Sequence, residues 1–565
     1  MQPFAIGNDN FGEIRTQNAR FIDKSLFIKE IFDHFTTKVS LITRPRRFGK
    51  TLNLSMLHHF LSTEIVGLET RALFNDLKIT EYPEIMAHQG KYPVIFLTLK
   101  GIKATSFDVA LSDFSGIMRD TYKAHDYLRS GPQFTTADQL AFDRVIQLQC
   151  QVGELHTGLA QLCRWLRAYH GVNPWVLIDE YDTPIQAAYL NDYYREMVGL
   201  LQPVLGNTFK TNPYLERAVL TGITRVSKES LFSDLNNVAV YTLFKNDYST
   251  HFGFTEPEMD ALLVEAELTH CSAEIKRWYN GYLCGDTVLY NPWSIINCVT
   301  EKGNLEPYWV NTGGTSMIQQ LLAQADPDVK IHLETLLQGH SIIARINDHL
   351  VYGLFGADVD SVMSLLLSAG YLKALSRTRT EMGEWLCELT IPNYEVMTVY
   401  RLSIMLWLVS QGQQARYEGV LKALVQGDMR VFSNELAVLL ERVLSYFDPS
   451  GQEPEKFYHG LVLGLVVHLA KTHTVESNRE SGWGRYDVMI IPHDVSQIGI
   501  VMEFKVAFEH EMLKEIAESA LTQIKSQHYA AALTHRQIHK ILAIGLAFRG
   551  KKVCVQYEWV AGSSQ

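Results

Sequence analysis

Residues 39–57, VSLITRPRRFGKTLNLSML, pass from an apolar stretch through a basic loop into a segment with apolar residues at helical spacing. A strand, a Gly-Lys-Thr turn and a helix in that order commit this part of the chain to an α/β fold built on a parallel sheet. Gly49, Lys50 and Thr51 match the end of the phosphate-loop pattern G-x-x-x-x-G-K-[ST], while its first glycine is replaced by Arg44. Backbone N–H groups at the start of such a helix can hold phosphate oxygens, Lys50 can reach the terminal phosphates, and the Thr51 hydroxyl can ligate Mg²⁺. Arg44, Arg46 and Arg47 can add guanidinium contacts to phosphate. Losing the first glycine is expected to limit how closely the backbone approaches.

A second segment supplies the acids that this loop needs. In WVLIDEYDTP, residues 175–184, a hydrophobic run ends in carboxylates. Asp179 is placed to hold Mg²⁺ through water, and Glu180 to polarise a water attacking a γ-phosphate. A third run, RAVLTGITRVSK (217–228), ends with Thr221 and Arg225, both able to sense that phosphate. The implied cofactor is ATP with Mg²⁺.

A different constellation lies near the other end. In IGIVMEFKV (498–506), Glu503 and Lys505 are two apart and therefore share one face of a strand. Asp487 opens the run DVMII, and a hairpin centred near Val495 would set it opposite Glu503. Cross-strand carboxylates, with Cβ atoms about 4.5–5.5 Å apart, destabilise each other. A divalent cation removes the conflict, since Mg²⁺ or Mn²⁺ takes hard oxygen ligands. Lys505, beside it, can orient the attacking water or stabilise charge on phosphorus oxygens.

The flanks of these motifs carry two resemblances. FYHGLVLGLV (457–466), SNRESGWGRYDVMIIP (477–492), VMEFKV (501–506) and ALTQIKSQHY (520–529) resemble a bacterial branch of the PD-(D/E)XK nuclease superfamily over roughly the last 110 residues. The resemblance implies a core of Asp487, Glu503 and Lys505, with Glu455 as an additional acidic, metal-binding residue on the preceding helix. It also implies that Gln523 and Tyr529 lie on the following helix and shape the substrate side. RPRRFGKT, VLIDEYDTP, LTGITRVSKESLFSDLNNV, HFGFTEPE, WYNGYLCG, YNPWSI and YWVNTGG, in order from 44 to 314, resemble the AAA-ATPase-like domain often fused to such a nuclease. IPNYEV (391–396) also fits.

Composition agrees with a large soluble globular chain: 565 residues, 47% hydrophobic and 20% charged. The start has no basic-then-apolar leader, and the longest apolar run, LVLGLVVHLA, is too short to span a bilayer, which points to the cytoplasm. Seven cysteines without C-x-x-C spacing read as scattered core thiols. The net charge of −11 argues against a uniformly nucleic-acid-coated surface. From Gly451 onward, however, 12 Lys and Arg balance 12 Asp and Glu, so the acidic excess lies upstream.

The expected organisation is an AAA-ATPase-like P-loop domain at 1–314, a mainly helical linking region at 315–446, and a PD-(D/E)XK nuclease-like α/β domain at 447–565. Within the linking region, strands are expected near LVYGLF and WLCELTIP. The expected function is an ATP-binding, nucleotide-regulated, metal-dependent nuclease acting on DNA in preference to RNA. A partner protein at the middle region and a homo-oligomer are compatible with it, and a membrane is not. The alternative is an ATP-switched signalling or scaffold protein that keeps an inactive nuclease fold.

Overall fold

The computed structural model describes residues 2–309, 339–347, 359–400, 414–443 and 472–561, less short gaps within 227–236, 382–383, 478–486 and 509, together with Val466, Leu469 and isolated residues between 329 and 336. The chain divides into two compact units. The first comprises Met1–Thr312 and Ser341–Val396, the second Gly313–His340 and Met397–Gln565. The region expected to link two domains is thus shared between both units.

The first unit is built on a five-stranded sheet of β1 (Val39–Thr43), β2 (Val94–Thr98), β3 (Trp175–Asp179), β4 (Ala218–Gly222) and β5 (Val238–Tyr241), in the order β2-β3-β4-β1-β5. All four pairings are parallel. Every residue of β1, β3 and β4 is buried, as a central parallel strand covered on both faces requires. Helices α1 (Leu26–Asp33), α2 (Lys50–Leu61), α3 (Phe107–Ala124), α4 (Val152–His170), α5 (Thr183–Leu190) and α6 (Tyr194–Phe209) accompany it. The main core joins Leu41, Ile95, Leu97 and Ile178 of the sheet to Phe114, Leu162 and Leu201 of the helices. Each such side chain contributes about 1.5–3 kcal/mol by leaving water.

Two three-stranded antiparallel sheets also belong to this unit. One orders β6 (Phe254–Thr255), β8 (Thr287–Tyr290) and β7 (Tyr282–Cys284), and is followed by α7 (Pro292–Thr300). Asn291 caps α7 by accepting from the N–H groups of Trp293 and Ser294, with Pro292 pre-set for the first turn. The other orders β9 (Ile342–Ile346), β11 (Trp385–Thr390) and β10 (Lys373–Arg379). The strand expected at WLCELTIP is therefore found, and LVYGLF lies outside the described residues. Helices α8 (Val359–Ala369), α9 (Gln414–Gln426) and α10 (Met429–Val443) account for the helical character of the middle region.

In the second unit a mixed sheet runs β12 (His473–Ser477), β13 (Val488–Pro492), β14 (Gly499–Val506), β15 (Lys540–Arg549) and β16 (Lys552–Ala561) in sequence order. Only β14 and β15 are parallel, so the chain must cross over between them, and α11 (Leu513–Ser526) does so. Ala517, Ala520, Leu521 and Ile524 form its buried face. Gly545 on β15 makes the close approach possible: a Cβ there would lie 2.3 Å from the Ala517 carbonyl oxygen.

Candidate nucleotide and metal sites

The β1–α2 turn is shaped by two left-handed residues, Arg47 (φ +68°) and Gly49 (φ +80°). A Cβ at Gly49 would have no neighbour within 4 Å, so the space beside it is open. Arg44 departs from its expected role. Its N–H continues the β1–β4 ladder to Gly222 O at 3.0 Å, and its side chain is fully buried. The guanidinium donates to the carbonyls of Thr43, Tyr241 and Asp247 and lies over the Phe252 ring. It anchors the loop from behind and does not reach toward a phosphate. The position of the missing first glycine therefore continues the β1–β4 ladder just past the end of β1, and the left-handed residues of the turn come later, at Arg47 and Gly49.

Lys50 is buried, with its ammonium donating to the carbonyls of Arg44 (3.0 Å) and Pro45 (2.8 Å). Burial lowers its pKa, against the opposing pull of Glu180, Asp179 and Asp182. Asp179, at the end of β3, is fully buried and accepts from Thr51 Oγ1 at 2.8 Å and Thr221 Oγ1 at 2.6 Å. Burial raises its carboxyl pKa despite these bonds. A hard cation at the Thr51–Asp179 oxygens would relieve that burial, so the donor set fits Mg²⁺. Glu180 follows in a left-handed conformation (φ +51°), a strain found where side chains are held for chemistry, and accepts from Thr183 Oγ1 at 3.1 Å.

The remaining arginines and the β4 residues separate. Arg46 and Arg47 border a cavity of about 510 Å³ together with Gly49, Lys50, Thr51 and Glu180. A volume of that size suits a small-molecule ligand. Thr221 is instead buried against Asp179, and neither it nor the half-buried Arg225 is among the described residues bordering the cavity. Thr221 thus fixes the acid and does not face the ligand space.

Asp182 was not singled out by sequence reasoning. Fully buried, it accepts through Oδ2 from Ile223 N (3.1 Å), Thr224 N (2.8 Å), Thr224 Oγ1 (2.7 Å) and Gln186 Nε2 (3.0 Å). Tyr181 OH also donates to Thr224 O at 2.8 Å. The turn after β3 therefore grips the turn after β4. The signal was present in the third acid of DEYDTP, which local reading treats as an ordinary residue before a helix.

In the second unit, Val488 pairs with Met502, Met489 with Val501 and Ile490 with Ile500. One step further, this register sets Asp487 opposite Glu503, and Asp487 Oδ2 accepts from Phe504 N at 2.7 Å. Ile500, Met502 and Phe504 are buried in the opposite layer. Gln523, on α11, donates from Nε2 to Glu503 Oε1. Asp487, Glu503, Lys505 and Gln523 are thereby gathered at one place. Glu455 lies outside the described residues. Tyr529 is a correction: α11 ends at Ser526, and Tyr529 lies in the turn beyond it, with its ring 2% exposed in the core beside Val501 and Leu533.

Comparison with known proteins bears on both sites. Residues 5–232 match the family model described as "Predicted AAA-ATPase", and residues 453–558 match that of the PD-(D/E)XK nuclease superfamily. The chain joins an AAA-ATPase-like domain to a PD-(D/E)XK nuclease-like domain. An Azotobacter chroococcum mcd 1 protein, described as "Uncharacterized protein in vnfD 5'region", is 26% identical over 407 residues, covering 71% of this chain and 69% of its own. The AAA-ATPase-like match ends shortly after β4, so it holds the phosphate loop, Asp179, Glu180 and Asp182. The nuclease-like match encloses Asp487, Glu503, Lys505 and Gln523. Among the described residues, no helix is long and apolar enough to cross a membrane.

Proposed function

We propose that the protein is a cytoplasmic, ATP-binding, metal-dependent nuclease that cleaves DNA in preference to RNA, with nucleotide state controlling cleavage. The observation that carries the nuclease reading is the β13–β14 register, which sets Asp487 opposite Glu503 with Lys505 on the same face as Glu503. The oxygens of Asp487 and Glu503 fit a Mg²⁺ or Mn²⁺ ion. Such an ion would supply Lewis-acid polarisation of the scissile phosphate. Gln523 orients the Glu503 carboxylate, and the Lys505 ammonium offsets the negative charge that builds on the phosphate oxygens or holds the attacking water.

In the AAA-ATPase-like domain, the Gly49–Thr51 backbone would receive the phosphates, Lys50 their terminal charge, and Thr51 with Asp179 the Mg²⁺. Glu180 is positioned to activate water there. The decisive test is cleavage of plasmid, linear duplex, single-stranded DNA and RNA with Mg²⁺ or Mn²⁺, with and without ATP. Asp487→Ala is expected to reduce cleavage by at least about a hundredfold, on the scale of lost electrostatic stabilisation, while ATP affinity is unchanged. Absence of cleavage by wild type on every substrate would instead favour an ATP-switched scaffold.

A further inference from the structure

Away from the two sites described above, Glu30, His34 and Asp247 bring one ligand atom each within 4.8 Å of one another. No local pattern announces this group, because Glu30 and Tyr248, which meet here, are 218 positions apart. Glu30 lies in the last turn of α1, and His34 caps that helix at its C-terminus, where unpaired carbonyls favour positive charge. Four residues apart, their side chains share a face. Asp247 enters from the turn after β5, and His251 follows four residues later in the same stretch.

The two acids have only imidazoles to balance them. His34 Nε2 lies 3.3 Å from Asp247 Oδ1, and His251 Nε2 lies 2.7 Å from Glu30 Oε2. Among the described residues, neither acid is paired with a lysine or an arginine. An imidazole is charged only when protonated, so above the ordinary histidine range two half-buried carboxylates face each other with little to offset them. Burial works to raise the Glu30 pKa, yet the bonds from His251 and from Tyr248 N draw it below its ordinary value, which keeps the carboxylate in its ligand form.

The surroundings support a metal ion. Carboxylates that ligate metals are themselves hydrogen-bonded, and here Glu30 Oε1 accepts from Tyr248 N at 2.6 Å while Oε2 meets His251. The Tyr241 and Tyr248 rings, centred 5.6 and 5.5 Å from the His34 ring, shelter the imidazole. Imidazole with carboxylate oxygen suits Zn²⁺ and its first-row neighbours, whereas Mg²⁺ prefers oxygen ligands alone.

We propose that Glu30, His34 and Asp247 form a binding site for a divalent transition-metal ion such as Zn²⁺, with His251 as a positioning residue that holds the Glu30 carboxylate. The ion clips α1 to the turn after β5. That turn is tied in its own right to the phosphate loop, since Arg44 donates to Asp247 O at 3.1 Å. None of the three ligands borders the cavity at Gly49–Thr51, so the site is separate from the one read as taking Mg²⁺ with nucleotide and does not rest on that reading.

The test uses the full chain, stripped with a chelator, dialysed against micromolar Zn²⁺ with Mg²⁺ in large excess, and analysed for bound zinc by mass spectrometry. Wild type is expected to hold about one zinc ion per chain more than His34→Ala or Asp247→Asn, with zinc bound elsewhere common to all three. Zinc should also raise the thermal midpoint of wild type more than that of either variant. Comparing each variant with and without zinc cancels the cost of the substitution itself, and Asp247→Asn carries the test if His34→Ala does not fold. His251→Phe is expected to weaken zinc binding about tenfold or more, and His251→Gln, which keeps a donor to Glu30, to weaken it less. Equal zinc content in wild type and both variants, or an equal zinc-induced rise in midpoint, would overturn the site and leave two histidine–carboxylate pairs. Unchanged zinc affinity in His251→Phe would remove the positioning role.

Discussion

At the scale of single residues, the AAA-ATPase-like domain relies on buried charge held by short bonds. Asp182 is the clearest case, with four hydrogen bonds converging on one oxygen. Asp182→Ala leaves buried donors at Ile223, Thr224 and Gln186 unpaired, and each unsatisfied group costs about 1–3 kcal/mol. We expect urea denaturation to report a loss of roughly 3 kcal/mol. Asp182→Asn, which keeps an acceptor, should lose clearly less. Sequence reasoning could group Gly49, Lys50, Thr51 and Asp179, which the fold brings together, because strand, turn and acid patterns are local. It misjudged Arg44 because a basic residue in a phosphate loop reads the same whether it faces the ligand or, as here, the carbonyls behind the loop. Only the placement of Tyr241 and Asp247, some 200 positions away, distinguishes the two.

Among elements, the nuclease-like site depends on how tightly α11 lies on the sheet. A Cβ at Gly545 would meet Ala517 O at 2.3 Å and Leu521 N at 2.6 Å, both backbone atoms of α11. Gly545→Val must push that helix outward and take Gln523 away from Glu503. The expected cost is about 1–3 kcal/mol of overpacking, read as a lowered thermal midpoint, with cleavage falling further than stability alone explains. The β13–β14 hairpin was legible in advance, since alternation fixes which residues share a face and the turn residues fix the register. The requirement for glycine at 545 was not, because it arises from a helix some 25 residues upstream. Nor were β9 and β10, whose sequences IIARI and KALSRTR mix exposed and basic positions and lack a continuous apolar run. Tyr529 escaped for a related reason: three residues of helical overrun decide whether its ring faces a substrate or the core.

For the molecule as a whole, buried titratable groups predict a stability optimum. Glu395 is fully buried, bonded by Ser294 and by the Trp309 N–H at 2.8 Å, and burial pushes its carboxyl up to about 8 from an ordinary 4.5. The folded protein therefore holds a proton that the unfolded chain releases across that interval, so this contribution to stability is full below about 4.5 and is lost as pH rises toward 8. Buried His58 and His125 act in the opposite sense: burial pushes them down to about 3 and about 4, so stability declines as pH falls below 6.5. Thermal midpoints should be highest near neutrality or slightly below it. Glu395→Gln should flatten the alkaline side of the profile between pH 6.5 and 8 and steepen the decline from 6.5 toward 4.5, where the glutamate's slope opposes that of the histidines.

Glu395 also illustrates a consequence for inheritance. The stretch Ser341–Val396 that carries it belongs to the first unit, although Gly313–His340 before it belongs to the second. The chain therefore passes between units three times, and no single peptide bond divides one from the other. A single breakpoint after Val396 keeps every strand of the first unit, and its buried glutamate, but leaves Gly313–His340 of the second unit on the first unit's side of the junction.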